Sequence, residues 1–334
     1  MNLAIVGATG LVGRKFLEVI NEYNIDVDYL YLFASRRSAG VTIEFQGLKY
    51  KVIELNEKNI ANVKVDYVLF SAGEKVSKEY AKCFNRVGAV VIDNSSAFRM
   101  EDNVPLIVPE VNDIDEYFES KVIANPNCST IQCMLPLKVL NDAFNLQAVD
   151  YTTFQAVSGS GMSGILDLEK CSQGQNAQFY PYSIFNNCIA HIGNFDSNGN
   201  SKEEIKMINE SRKILNLPNL KVTATCVRVP ITYAHSVSIC ATFEKDVDIE
   251  KARSLLSKFK GITLCDDVKN NIYPMPIDAV GQDNVLVGRL RLDQNNCKRL
   301  LLFCVADNLR KGAASNAVQI MQNIENKKMS GKNI

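Results

Sequence analysis

The chain has 334 residues, 46% of them hydrophobic and 22% charged, a balance that supports a buried core and excludes disorder as the main state. Lys and Arg total 37, as do Asp and Glu, so no basic excess is available to hold a phosphate backbone, and nucleic acid is not an expected partner. No apolar run reaches the ~18 residues of a membrane span, and no charged leader precedes the first strand; a cytoplasmic chain of about two domains, at ~150 residues each, is expected.

In chain order, residues 3–7 read as a buried strand. Leu11, Val12, Phe16, Val19 and Ile20 then place a helix over 11–23. Strands are predicted over 28–34, 65–71 and 89–93, with a helix between the last two. This alternation implies a parallel, Rossmann-like α/β sheet with right-handed crossovers over roughly the first 127 residues. A short strand ends at Asn125-Pro126. Helices follow over 129–144, 162–172, 202–215 and 248–259, among β-rich stretches at 147–157, 221–230, 235–244 and 285–305. Ser201 and Glu204 form a capping-box pattern, and 293–296 reads as a hairpin turn. The second domain is therefore α+β, around a mixed or antiparallel sheet. A last helix over 308–324 carries Gly312, Ala313, Ala314 and Ala317, which suit close packing, and is assigned back to the first domain. The tail Asn326–Ile334 is expected to fray. The expected division is 1–127 plus 308–334, and 128–307.

The ten cysteines are expected to be reduced in the cytoplasm. There is no Cys-x-x-Cys pair and there are only two histidines, His191 and His235, so no metal site is expected. A thiol nucleophile is compatible with both facts.

Gly7-Ala8-Thr9-Gly10-Leu11-Val12-Gly13 joins the first strand to the first helix. Small residues there admit a pyrophosphate to the backbone, and the helix start offers N–H groups and a positive dipole end. The same glycines would also suit a tight turn without a ligand. After the second strand, an NAD enzyme usually carries an acid for the ribose hydroxyl. This chain has Ser35-Arg36-Arg37-Ser38 instead, which suits the 2′-phosphate of NADP; a solvated basic turn is the plainer alternative. Cys128, where a helix begins, sits where the dipole favours thiolate; taken by itself, a packed small residue is the plainer alternative.

Asn125-Pro126-Asn127-Cys128-Ser129-Thr130 resembles the catalytic segment of the aspartate-semialdehyde dehydrogenases. So do the Gly7–Gly13 turn, Ser35–Gly40, Asp93–Arg99, Gln155–Gly161, Arg228-Val229-Pro230 with His235, and Asp307–Ala314. The blocks run in order over nearly the whole chain. The resemblance implies reversible, NADP-dependent reduction of 4-phospho-L-aspartate to L-aspartate 4-semialdehyde and phosphate, in lysine, threonine, methionine and diaminopimelate biosynthesis. It implies Cys128 as the nucleophile that forms a thioester, His235 as acid/base and Gln155 as the residue that orients the acyl group. Substrate binding falls to Arg99, Asn127, Glu203, Lys206 and Arg228. Of these, Arg228 takes the carboxylate, Glu203 the ammonium, and Lys206 and Arg99 the phosphate. Glu204 stands beside Glu203, so a one-residue shift would exchange them. Cofactor contacts fall to Gly7, Thr9, Gly10, Leu11, Val12, Gly13, Ser35, Arg36, Arg37, Ser38, Ala72, Gly73, Ser158, Gly159 and Asn308. The residues 128–307 become a catalytic and dimerisation domain, and a homodimer is expected. His191 matches no catalytic position and reads as a structural loop residue. Related acyl-phosphate reductases, such as N-acetyl-glutamyl-phosphate reductase, and an inactive paralogue are the rival readings.

Overall fold

The computed structural model describes residues 1–113 and 121–329. The chain divides into two compact units, Met1–Pro126 with Ala313–Ile334, and Asn127–Gly312.

The first unit runs β1 (Asn2–Val6), α1 (Leu11–Glu22), β2 (Tyr29–Ala34), β3 (Thr42–Phe45), β4 (Leu48–Lys51), β5 (Ile53–Glu54), α2 (Glu57–Ala61), β6 (Tyr67–Phe70), α3 (Glu74–Arg86), β7 (Val90–Asp93) and β8 (Val122–Ala124). Its main sheet has the order β5-β2-β1-β6-β7-β8 and every pair is parallel. Such a sheet is covered on both faces, which is why its strands are continuous apolar runs. On one face Ile5, Leu32 and Leu69 join Phe16 and Ile20 of α1. On the other, Phe84 of α3 meets the edges of Phe33 and Phe70, ring centroids 5.6 and 5.5 Å apart. The β3–β4 hairpin lies outside the sequence expectation. Its turn, Gln46-Gly47, has both φ angles positive, and its inward residues are Ile43 and Phe45.

The second unit runs α4 (Cys128–Phe144), β9 (Leu146–Gln155), α5 (Met162–Ser172), α6 (Lys202–Ile214), β10 (Lys221–Arg228), β11 (His235–Phe243), α7 (Ile249–Lys258), β12 (Ile262–Leu264), α8 (Pro276–Ala279), β13 (Val285–Asp293) and β14 (Asn296–Ala306). Its sheet order is β10-β9-β11-β14-β13-β12. The two outer pairs are parallel and the inner three antiparallel. Helices α4, α6 and α7 pack on one face, over Val149, Tyr151, Val237, Ile239 and Leu302. Of the alternate residues, Phe154, Ser238, Cys240, Leu301 and Phe303 are only partly covered and Thr152 is exposed, and their register aligns them across β9, β11 and β14.

This topology gathers four chain positions at one end of the sheet. Gln155 and Arg228 are the last residues of neighbouring parallel strands and are register partners. His235 opens the antiparallel β11 opposite Ala306, the last residue of β14. Asp307 and Asn308 follow directly.

The helix predicted over 308–324 is two elements. Arg310–Ala314 is a π-helical turn, and α9 (Ser315–Met329) follows in the first unit. The π turn has a local cause. Asp307 Oδ1 accepts the N–H groups of Leu309 and Arg310, while its carbonyl accepts from Gly312 five residues on, at 3.0 Å. Nor does the chain fray at Asn326, since α9 continues to Met329. Glu325 and Lys328 both bond to the hydroxyl of Tyr67 on β6, and Lys327 pairs with Asp113. The rest of the expected frayed tail, 330–334, lies outside the described residues.

Candidate functional site

In the first unit the glycine turn is built by close backbone approach. Gly7 has φ +84°, and a Cβ there would lie 2.3 Å from the Ser71 carbonyl oxygen; one at Gly13 would lie 2.2 Å from the Gly7 carbonyl oxygen. The N–H groups of Gly7 and Ala8 both donate to the Phe33 carbonyl at the end of β2. Gly10 caps α1 without a side-chain acceptor, so the first-turn N–H groups of Leu11, Val12 and Gly13 face no capping side chain, the arrangement that receives an anion. Thr9 lies within this turn. Ala72 and Gly73, with Gly73 at φ +87°, follow Ser71 and open α3. After β2, Ser35, Arg36 and Arg37 are exposed and a Ser38 N–H to Ser35 carbonyl bond of 2.8 Å tightens the turn. Among the described residues neither arginine has an ion-pair partner. Arg99 is also in this unit, buried, with Nε on the Asn125 carbonyl at 3.0 Å and Nη2 on the Asn94 carbonyl at 2.9 Å.

In the second unit a polar cluster surrounds the start of α4. Asn127 is the cap. Its Oδ1 accepts from the N–H groups of Ser129 and Thr130 at 3.0 and 3.3 Å, and Cys128 is the first helical residue, partly exposed. Cys133, further along α4, is fully buried, and burial, with Cys304 beside it, pushes its thiol far up. Of the two thiols on this helix, Cys128 is the reachable one.

Helix α6 presents Glu203 to this cluster. Its Oε1 accepts from Asn127 Nδ2 at 2.7 Å and Gln155 Nε2 at 3.3 Å, and its Oε2 pairs with Lys206 Nζ at 3.0 Å. Burial raises the Glu203 carboxyl, but Lys206, the Asn127 bond and Arg228 together outweigh it and hold the group at about 2. Glu204 is engaged elsewhere. It completes the capping box with Ser201 and accepts from the Cys226 N–H at 3.0 Å.

One residue orients the imidazole and the guanidinium together. The Ala156 N–H donates to His235 Nδ1 at 3.0 Å, and the Ala156 carbonyl accepts from Arg228 Nη1 at 2.7 Å. Because Nδ1 accepts, the neutral ring carries its hydrogen on Nε2. That Nε2 and Arg228 Nε are buried, with no hydrogen-bond partner among the described residues. Buried donors of this kind are costly unless an acceptor is supplied, and a bound ligand is one source of that acceptor. A Cβ on Gly159 would come within 2.9 Å of Arg228 Nη1 and 3.1 Å of His235 Nε2, so the bare glycine leaves the space before both groups open. Burial and then the Arg228 charge depress the imidazole to about 3, with Glu203 opposing them.

Two family models match the chain. One, described as semialdehyde dehydrogenase, NAD binding domain, matches residues 2–117; the other, semialdehyde dehydrogenase, dimerisation domain, matches 137–311. The chain belongs to the semialdehyde dehydrogenase family. Among its relatives there, the aspartate-semialdehyde dehydrogenase of Aquifex aeolicus is 48% identical over 329 residues, 96% of each chain. That of Campylobacter jejuni is 47% identical over 330 residues, again 96% of each. The solved aspartate semialdehyde dehydrogenase II of Vibrio cholerae, complexed with ASA, superposes with a TM-score of 0.93 at 42% identity, over 97% of this chain and 98% of that one. The Candida albicans enzyme, solved with NADP, shares the fold with a TM-score of 0.78 at 24% identity, over 98% of this chain and all of that one.

Of the expected site residues, Asn127, Cys128, Gln155, Ser158, Gly159, Glu203, Lys206, Arg228, His235 and Asn308 lie in the second unit, and the rest lie in the first. Asn308 Nδ2 donates to Ser158 Oγ at 3.0 Å and its Oδ1 accepts the Ala234 N–H at 3.0 Å. Ala234, just before His235, has φ +68°, a strained value for a residue with a Cβ. His191 stacks on Phe195, ring centroids 4.5 Å apart, outside the cluster. Sequence reasoning missed two neighbours of Cys128. Glu210, buried, accepts the Asn127 N–H at 2.7 Å; its spacing of seven from Glu203, one helical face, was the available signal. Gly312 approaches Cys128 so closely that a Cβ on it would lie 2.9 Å from the cysteine Cβ.

Among the described residues no helix is long and apolar enough to cross a membrane.

Proposed function

We propose that the chain is a cytoplasmic, NADP-dependent aspartate-semialdehyde dehydrogenase that interconverts 4-phospho-L-aspartate and L-aspartate 4-semialdehyde plus phosphate. The observation that carries this is the grouping of opposite charges around one reachable thiol. Glu203 and Arg228 suit the ammonium and carboxylate of a free amino acid, and Cys128 lies beside the Asn127 cap that Glu203 holds. An N-acylated substrate would bring no cation for the Glu203 carboxylate, which disfavours the acetylated rival.

Cys128 thiolate attacks the acyl carbon, the bond to the phosphate oxygen breaks, and phosphate leaves a thioester on sulfur. The Gln155 amide, tied to Glu203, lies at the end of β9 where it orients the acyl group. His235 exchanges hydrogen with the substrate at Nε2, the ring atom that the main chain leaves open. A second proton on Nδ1 would break the Ala156 bond, which with burial keeps the ring neutral before substrate arrives. Donation from Nε2 stabilises the oxygen that takes charge when the acyl carbon becomes tetrahedral. Arg228 binds the carboxylate through its open Nε edge, and Lys206 and Arg99 bind phosphate. The C–S bond finally breaks to release the aldehyde and restore the thiolate.

The uncapped α1 start and the close-packed glycine turn fit a pyrophosphate, and the exposed Arg36 and Arg37, with Ser35 and Ser38, fit a 2′-phosphate. When bound, NADP supplies or accepts the hydride. Residues 1–127 with 308–334 serve that cofactor, and 128–307 serve catalysis and dimerisation. The partly covered sheet face around Phe154, Cys240 and Phe303 is the surface through which a homodimer forms.

Phosphate-dependent NADP reduction with aspartate semialdehyde, compared with N-acetyl-glutamate semialdehyde and glyceraldehyde 3-phosphate, tests the assignment. Activity restricted to the first substrate, with an acyl adduct on Cys128 by mass spectrometry and none in Cys128→Ala, supports it. Turnover in Cys128→Ala would refute the nucleophile assignment.

A further inference from the structure

Glu203 is already paired within the protein. Its Oε1 is taken by two amides, Asn127 Nδ2 and Gln155 Nε2, and its Oε2 by the ammonium of Lys206. The Asn127 amide cannot turn away, because its Oδ1 is committed to the N–H groups that open α4. An incoming ammonium is therefore left with Oε2, the oxygen that Lys206 occupies.

We propose that Lys206 holds, on Glu203, the place of the substrate's α-ammonium, and that displacement from this carboxylate transfers its charge to phosphate. The inference rests on the functional reading above, in which Glu203 receives the ammonium and Lys206 the phosphate. The two partners differ in freedom. The Glu203 side chain is 7% exposed and fixed on three sides, whereas that of Lys206 is 32% exposed and ends a flexible four-carbon stem. Two ammonium groups against one carboxylate oxygen repel each other, so the mobile one leaves.

The charges of the reactants then match in one arrangement. The substrate ammonium takes Glu203, the substrate carboxylate takes Arg228, and the lysine that has been displaced meets the phosphate anion through a charge-assisted bond. A substrate without an α-ammonium leaves Lys206 on Glu203, so the amino group is selected twice, in its own binding and in phosphate binding. Linkage requires the effect to be reciprocal, with phosphate tightening the amino acid by the same factor.

The test measures the dissociation constant of inorganic phosphate for the full-length, NADP-loaded enzyme by calorimetry. It is measured alone, with saturating L-2-aminobutyrate, which has the ammonium and carboxylate but no aldehyde, and with butyrate, which lacks the ammonium. Phosphate affinity should rise by about five-fold or more with aminobutyrate and should not rise with butyrate. Lys206→Met should abolish the difference while aminobutyrate still competes with aspartate semialdehyde. Equal phosphate affinity in all three conditions, tightening by butyrate as well, or tightening that persists in Lys206→Met would overturn the exchange and leave the assigned receptors standing. Should aminobutyrate compete as well in Glu203→Gln as in the wild type, Glu203 is not the ammonium receptor, and both readings fall.

Discussion

Gly312→Ala should displace Cys128, the proposed nucleophile, without unfolding the chain. The added Cβ would stand 2.9 Å from Cys128 Cβ, 3.3 Å from its Cα and 3.5 Å from the Asp307 carbonyl oxygen, whereas ordinary contacts lie at 3.4–4 Å. Relief therefore requires roughly 0.5–1 Å of movement, within a core that resists overpacking by ~1–3 kcal/mol. Gly312 cannot give way easily, because its N–H is bonded to the same Asp307 carbonyl. Cys128 sits in the first turn of α4 and is the part that moves. Misplacing a reacting group by about 1 Å costs on the order of 10²-fold, so kcat should fall by roughly 10- to 100-fold. Steady-state phosphate-dependent NADP reduction gives the rate. Thermal unfolding should show a loss of only a few degrees, and NADP affinity should stay within about two-fold. A folded Gly312→Ala enzyme with kcat within two-fold of wild type would refute the claim that this contact sets the thiol.

Arg37→Ala should lower the NADP-to-NAD preference in kcat/KM; an unchanged ratio would move that discrimination to Arg36, Ser35 and Ser38. Glu210→Ala should reduce kcat by about ten-fold or more with little change in KM, since it frees the Asn127 N–H, while Glu210→Gln, whose amide oxygen can still accept, should retain most activity; equal loss in both variants would show that the charge, not this bond, matters. His235 is held at about 3 in the fold against an ordinary 6.5, so the unfolded chain binds a proton that the folded one refuses, and its contribution is complete above about pH 6.5 and lost as pH falls towards 3. Glu203, at about 2 against 4.5, adds a loss only below about pH 4.5. His235→Asn should therefore flatten the dependence of Tm on pH between about 6.5 and 4.5, and should slow turnover by ~10²–10⁴-fold; a retained slope would place the titrating group elsewhere.

The parallel sheet was legible because a strand buried on both faces cannot alternate, and runs such as Leu3–Val6 and Tyr67–Phe70 announce themselves as unbroken apolar segments. The β3–β4 hairpin was not, for opposite reasons. Its strands are four residues each, and its turn uses Gln46 before Gly47, where Asn or Asp is the usual sign of a left-handed first position. The split of the 308–324 helix was hidden as well. Its Gly-Ala-Ala composition reads as close helix packing, but Asp307 caps a short turn there before α9 begins. Fraying at Asn326 was expected from a polar tail, yet the polar residues Glu325 and Lys328 are the ones that bond Tyr67, 258 and 261 positions away.

The site divides along the same line. Cys128, Gln155, Arg228 and His235 stand inside short motifs, so the roles proposed for them can be read from the order of residues. What holds them is not. Ala156 offers no side chain to notice, but its N–H and its carbonyl fix the imidazole and the guanidinium at one point. Only the parallel pairing of β9 with β10, and the antiparallel return of β11, bring those two side chains to it. The choice between Glu203 and Glu204 has the same origin. Neighbouring residues on a helix point about 100° apart, so once Ser201 caps α6 and draws Glu204 into the capping box, Glu203 is turned to a different side, where Asn127 and Gln155 meet it. A capping preference worth ~1 kcal/mol thus fixes the rotation of α6, and with it which of two adjacent carboxylates faces the helix that begins at Cys128.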